Sequence, residues 1–180
     1  MSWQDIRIET ERLILRPPQA DDFAGWSAFF ADPDATRHMG GPRSEPLAWR
    51  HFLMMVGAWS IEAGSAFSLV DKHSGQWLGW TGPWHPVGWP GTEVGWCLAR
   101  SAWGQGYATE AATAVLDWVF EHLSWDQVIH LITPDNQASQ AVARRLGAAV
   151  LRRIDMPEPF AGETVDVWGQ SREAWQRRRP

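Results

Sequence analysis

The sequence predicts an α+β domain in which a mixed, mostly antiparallel sheet of about seven strands is flanked by about four helices. Three observations predict it. Between Phe67 and Ala99 the chain falls into short alternating segments joined by Gly- and Pro-containing turns, the pattern of antiparallel neighbours. Residues 93–99, 106–122 and 128–133 then read as strand, helix and strand, a right-handed β-α-β crossover that makes one strand pair parallel. Ahead of the sheet segments, two stretches carry apolar residues at helical spacing.

In chain order, residues 6–16 give a first strand, with Ile6, Ile8, Leu13 and Leu15 apolar and Pro17-Pro18 ending it. Asp21 or Asp22 caps a helix to about Ala31 with Phe23, Trp26, Phe29 and Phe30 on one face. Residues 32–46 are dense in Pro, Gly and Asp and read as a loop. A second helix runs from Ser44 to Gly64, with Trp49, Phe52, Leu53, Val56 and Trp59 as its core stripe. Strands at Phe67–Val70, Trp77–Trp84 and Glu93–Ala99 follow. The helix from Gly106 to about His122 turns Ala108, Ala111, Ala112, Val115, Leu116 and Val119 inward. Val128–Thr133 is continuously apolar apart from His130, as suits a strand buried on both faces. Asp135-Asn136 caps a helix to Arg145, stopped at Leu146-Gly147; strands at 148–154 and 163–169 and a helical turn at 172–175 complete the chain. No repeat, linker or low-complexity stretch interrupts it, so residues 1–180 are expected to form one domain.

A chain of 180 residues buries about 70% of its unfolded surface in one core and needs no metal or disulfide staple. Cys97 is the single cysteine, no basic-then-apolar leader opens the chain, and the cytoplasm is the expected compartment, with no membrane partner. Sixteen basic against 21 acidic residues give a net charge of −5, which argues against a nucleic-acid partner. The tail Arg177–Arg179 reads as a solvated end. Of the 14 tryptophans, six lie from Trp77 to Trp103. Most are expected in the core, while Trp80, Trp84 or Trp89 would suit an aromatic wall beside an acceptor.

Residues 92–110 carry the chemistry. Gly104 and Gly106 let the backbone turn sharply at the start of a helix, whose first amides and positive dipole end favour an anion such as phosphate. A P-loop is excluded because its lysine is missing; the only lysine is Lys72. A dinucleotide fingerprint is excluded because Thr109 stands where a third glycine is needed and Asp126 precedes the next strand instead of closing it.

The run Trp103-Gly104-Gln105-Gly106-Tyr107-Ala108 resembles the acyl-CoA loop of the GNAT N-acetyltransferase superfamily, with Trp103 where the commonest pattern has Gln or Arg. With Thr109-Glu110-Ala111 and the opening Thr10-Glu11-Arg12-Leu13-x-Leu15-Arg16-Pro17, it is similar to the branch of ribosomal-protein alanine and serine N-acetyltransferases. Asn136-Gln-Ala-Ser139, with Gly147 eleven residues after Asn136, resembles the superfamily's second motif. The resemblance implies the three-layer GNAT fold, acetyl-CoA as cosubstrate with no metal, and transfer to a protein N-terminal or small-molecule amine in a ternary complex, by a monomer or homodimer.

It implies cofactor contacts from Trp96, Cys97, Leu98, Trp103, Gly104, Gln105, Gly106, Tyr107, Ala108, Thr109, Asn136 and Ser139. Backbone amides around Cys97 and Leu98 would pair with pantetheine. Ala143 stands where many members carry the tyrosine that protonates the departing thiolate; in the ribosomal-protein branch a serine takes that role, which falls on Ser139. Glu93 is the candidate general base and Asn136 the third catalytic candidate. Each has a local alternative: Ser139 and Asn136 as first-turn and cap residues, Glu93 as a charge at a strand start. A lysine-like amine costs ~4.6 kcal/mol to deprotonate at neutral pH and an α-amine only ~1, so an α-amine asks mainly for positioning. Cys97 has no histidine patterned beside it and reads as packing. The different-class alternative is a non-catalytic acyl-CoA-binding domain with the same fold.

Overall fold

The computed structural model describes residues 2–158 and 160–178. Its strands and α-helices in chain order are β1 (Ile8–Glu9), β2 (Leu13–Arg16), α1 (Phe23–Ala31), α2 (Pro33–Thr36), α3 (Glu45–Ala58), β3 (Phe67–Asp71), β4 (Trp77–Trp84), β5 (Glu93–Leu98), α4 (Tyr107–His122), β6 (Gln127–Ile132), α5 (Gln137–Leu146), β7 (Ala149–Asp155), β8 (Thr164–Ser171) and α6 (Arg172–Arg178). The strands form one sheet ordered β1-β2-β3-β4-β5-β6-β8-β7. Only β5 and β6 are parallel neighbours.

The sheet has eight strands where about seven were expected, because the first segment folds back on itself. Ile8 lies opposite Leu15, and Thr10 closes the turn by bonding the Leu13 carbonyl at 3.0 Å. The stretch expected to be all loop holds the short helix α2: Asp32 accepts from the amides of Asp34 and Ala35, and Pro33 fits its first turn.

The second helix stops at Ala58 rather than Gly64, and its stripe is rotated from the expected one. Ala48, Phe52 and Met55 are buried, followed by Trp59, while Trp49 and Leu53 are 42% and 47% exposed. The spacing 48, 52, 55, 59 defines one helical face, and Trp49 and Leu53 lie about 100° round from it.

Helices pack on both faces of the sheet. On one face α4 supplies Ala111, Ala112, Val115, Leu116 and Val119, which join Leu13, Leu15, Leu69, Val94, Leu98 and Val128 of the strands and Val142 and Leu146 of α5. On the other, α1 and α3 pack Trp26, Phe29, Phe30 and Phe52 against Trp80. The Trp26 and Trp80 rings stack with centroids 4.2 Å apart, so Trp80 is core rather than an acceptor wall. Along β5 the faces alternate: Val94 and Leu98 point to the α4 side and Cys97 to the α1 side. In the tail, Arg178 donates to the Arg145 carbonyl at 3.0 Å at the end of α5, and Arg177 pairs with Glu173; Arg179 lies outside the described residues.

Candidate active site

The glycine turn leaves β5 through a 3-10 turn at Arg100–Ala102. Gly104 and Gly106 have φ of 72° and 83°, left-handed values that favour glycine. Gly106 is the N-cap of α4 and offers no side chain to its first turn, so the amides of Tyr107, Ala108 and Thr109 face outward without intrahelical partners. Glu110 is the first residue to bond back, to the Gly106 carbonyl at 3.1 Å. Gln105 and Trp103 brace the loop: the Gln105 amide donates to the Ser101 carbonyl, and the Trp103 indole to the Leu98 carbonyl at 2.9 Å.

The loop is also gripped from the opening hairpin. Glu110 accepts from the Thr10 hydroxyl at 2.6 Å and from the Arg12 amide at 2.9 Å, and pairs with the Arg12 guanidinium. Burial would raise the Glu110 carboxyl, but these bonds outweigh it and hold it below the ordinary range. Arg12 also donates to the Gln105 carbonyl at 2.9 Å and stacks over Tyr107, 4.3 Å from the ring centroid.

Beside this loop the sheet opens. The β5–β6 register holds a single residue pair, Glu93 with Ile129, and the Ile129 amide donates to the Thr92 carbonyl at 2.9 Å. Because backbone groups alternate along a strand, those of Trp96 and Leu98 then also point toward β6, whereas the Cys97 amide points to β4, as does that of Ala99, which donates to the Leu78 carbonyl. Just past the paired end, the Val94 carbonyl is 2.6 Å from His130 Nδ1. A carbonyl only accepts, so Nδ1 carries the proton. Burial pushes the His130 pKa down to about 4, so the ring is neutral near pH 7.

On the α5 side of the opening, Asn136 caps the helix by accepting from the Ser139 amide at 3.1 Å. The Trp96 indole donates to the Ser139 hydroxyl at 3.3 Å and lies against His130, with centroids 4.9 Å apart. On the α1 side, Glu93 accepts from the Trp89 indole at 2.6 Å and from the Leu131 amide at 3.4 Å. Burial raises its carboxyl to about 7 against both bonds. The Cys97 thiol, 3.4 Å from the Met39 sulfur, is pushed up to about 12 by burial and by the Glu93 charge, which removes it as a nucleophile near neutral pH. Segment 32–44 roofs this side: Arg100 pairs with Asp32 and Asp34, and His38 is 3.0 Å from the Thr133 hydroxyl.

Residues 12–149 match the family described as the acetyltransferase (GNAT) domain. The chain belongs to the GNAT acetyltransferase family. Its relatives include the uncharacterized N-acetyltransferase p20 of Bacillus licheniformis, 26% identical over 89% of this chain and 92% of that protein. Protein YkkB of Bacillus subtilis is 32% identical over 78% of this chain and 84% of its own length. Among solved structures, an acetyltransferase from Agrobacterium tumefaciens superposes with a TM-score of 0.82 at 32% identity, over 93% of this chain and 95% of that one.

Within this GNAT fold the sequence-derived residues fall into three places. Trp103 to Thr109 form the loop and first turn of α4; Trp96, Asn136 and Ser139 meet across the opening; Glu93 stands on its far face with Trp89. Cys97 joins none of the three, since its amide serves the β4 ladder and its thiol the α1 core. Sequence reasoning missed three residues. Arg12 sits in the expected first strand and was given no role at the site, yet it braces the loop. Trp89 was grouped only with a general aromatic wall. His130 had a usable signal, since a histidine inside an apolar strand must find a partner.

Proposed function

We propose that this acetyltransferase carries an acetyl group from acetyl-CoA to a primary amine, a protein N-terminus or a small-molecule amine, by direct attack in a ternary complex. The observation that supports it best is the opening between β5 and β6, with Ser139 on one face and Glu93 on the other. Acetyl-CoA supplies the activated thioester. An extended, anion-headed molecule suits these surroundings: the loop from Gly104 and the outward amides of Tyr107 to Thr109 would take the pyrophosphate, where a Cβ at Gly104 would meet nothing within 4 Å. The Trp96 and Leu98 backbone groups would pair with the pantetheine arm, as strand edges do.

Glu93 takes the proton of the attacking amine, directly or through one water. Its carboxyl near 7 is a stronger base than an ordinary carboxylate and is still substantially ionised at neutral pH. Ser139 donates a proton toward the cofactor sulfur. The Trp96 N–H occupies an acceptor site on its oxygen and leaves the O–H for donation. Asn136 fixes the first turn of α5 and with it the place of Ser139. Similarity to the ribosomal-protein branch favours an α-amine, the acceptor that asks least of the base.

Isothermal titration with acetyl-CoA followed by thiol release against α-amines, polyamines and aminoglycosides tests this. Binding with release from at least one amine is expected. Binding without release from any of them would favour the acyl-CoA-binding module, and failure to bind acetyl-CoA would overturn both readings.

A further inference from the structure

Glu93 heads β5 at the point where pairing to β6 ends. Beyond that point β6 offers the carboxylate only the Leu131 amide, and at 3.4 Å to Oε1 that bond is too long to fix it alone. The other oxygen is held differently: Trp89 Nε1 lies 2.6 Å from Oε2, shorter than the ordinary N–H···O range, as suits a donor facing a carboxylate. Trp89 belongs to a turn with no regular structure, closed by its own amide on the Pro86 carbonyl at 3.0 Å. The turn is tied to the β7–β8 hairpin at two points. Phe160 meets the Trp89 ring edge-on, with centroids 5.9 Å apart, and Arg152 of β7 reaches the Pro90 carbonyl at 3.5 Å.

We propose that Trp89 is a positioning residue for Glu93: its indole fixes the carboxylate's orientation and favours its ionised form, while the hairpin through Phe160 fixes the indole. The catalytic consequence rests on Glu93 being the base; the pairing itself does not. An indole N–H donates and cannot accept, so this contact suits a carboxylate and favours it over the carboxylic acid. The titratable groups around it add no compensating positive charge. Cys97 on the same strand is held as the neutral thiol, and His130 on β6 is held neutral with its Nδ1 proton on Val94. Arg152 of β7 keeps its charge while it reaches the Pro90 carbonyl, but the groups that lower the Glu93 carboxyl are the Trp89 indole and the Leu131 amide, with no cation among them. The indole thus opposes the burial that drives the carboxyl upward.

The experiment follows the Glu93 carboxyl by carbon NMR in protein labelled at glutamate, with the resonance assigned by its loss in Glu93→Gln. In Trp89→Phe, which keeps a ring for Phe160 and removes the N–H, the Glu93 midpoint should move to higher pH. The acid limb of kcat/KM for an amine should move with it, lowering activity at pH 6.5 by about tenfold per unit moved. Acetyl-CoA affinity should stay unchanged. In the wild-type protein, the Trp89 indole proton should titrate with the Glu93 midpoint and cease to do so in Glu93→Gln, a readout that needs no Trp89 variant. A midpoint that stays in place or falls in Trp89→Phe, or an indole proton blind to pH, would overturn the positioning role. If the midpoint moves as expected but Glu93→Gln keeps full turnover, the positioning stands and the base assignment fails.

Discussion

Glu93 joins protonation to acceptor choice. If Glu93 is the base, as proposed, a carboxylate near 7 would meet amines whose own deprotonation costs ~1 kcal/mol at an α-amine and ~4.6 kcal/mol at a lysine-like amine. Glu93→Gln should therefore lower kcat/KM at pH 7 by about tenfold for an α-amine and by about 10³-fold for an amine near 10.4, the second within the usual span of general-base catalysis and the first below it. Equal losses for both classes, read in one thiol-release assay, would contradict a base that acts on the amine. The residues that such chemistry needs were only partly legible in the sequence. Glu93, Asn136 and Ser139 stand out by resemblance to family patterns, since spacing alone would leave Asn136 and Ser139 as cap and first-turn residues and Glu93 as a charge at a strand start. Trp89 belongs to no such pattern. Its nitrogen reaches Glu93 only because a turn of Pro and Gly residues folds back over the strand, and turn geometry is not written in periodicity.

At the level of elements, the glycine turn is a joint product of two distant segments. The glycines permit its shape, and the hairpin between β1 and β2 holds it through Thr10, Arg12 and Glu110. The segment reads as one strand because Ile6 with Ile8, and Leu13 with Leu15, each alternate; the odd offset from Ile8 to Leu15, which one straight strand would place on opposite faces, marks a turn that is fixed by Thr10 and by Glu110 a hundred residues away. The glycine turn itself was legible, since few residues other than glycine accept its φ values. Gly106→Asp should abolish acetyl-CoA binding, because a carboxylate would face the outward amides and the left-handed backbone would be strained. Arg12→Ala should weaken binding about 10- to 100-fold, the scale of one lost charge-assisted bond, and leave the rate at saturating acetyl-CoA nearly unchanged. Calorimetry separates the two, and an Arg12→Ala protein with unaltered affinity would show that the brace is not needed for the loop's shape.

At the scale of the molecule, the sheet separates the candidate residues, with the glycine turn and Ser139 toward α4 and α5 and the Glu93 carboxyl toward the α1 side. The opening between β5 and β6 connects them, and its polar groups are costly to bury. His130 at the opening and His51 on α3 in the aromatic core are both held down to about 4 by burial, so the stability each contributes is present above pH 6.5 and is lost as pH falls toward 4. Glu93 runs the other way. Its folded pKa lies above the ordinary 4.5, so the folded state favours its protonated form: that stability is complete below pH 4.5 and is lost as pH rises through 7. A shift of this size corresponds to about 3 kcal/mol as a ceiling, and because Glu93 retains some solvent contact the expected effect is about 1–2 kcal/mol. Glu93→Gln removes only this dependence. The unfolding free energy of the variant minus that of the wild type, from urea melts at each pH, should rise by about 1–2 kcal/mol between pH 4.5 and 8, because the two histidines contribute equally to both proteins and cancel. A difference that stays flat with pH would mean that Glu93 is as well solvated folded as unfolded, and the raised basicity on which the acceptor argument depends would fall with it.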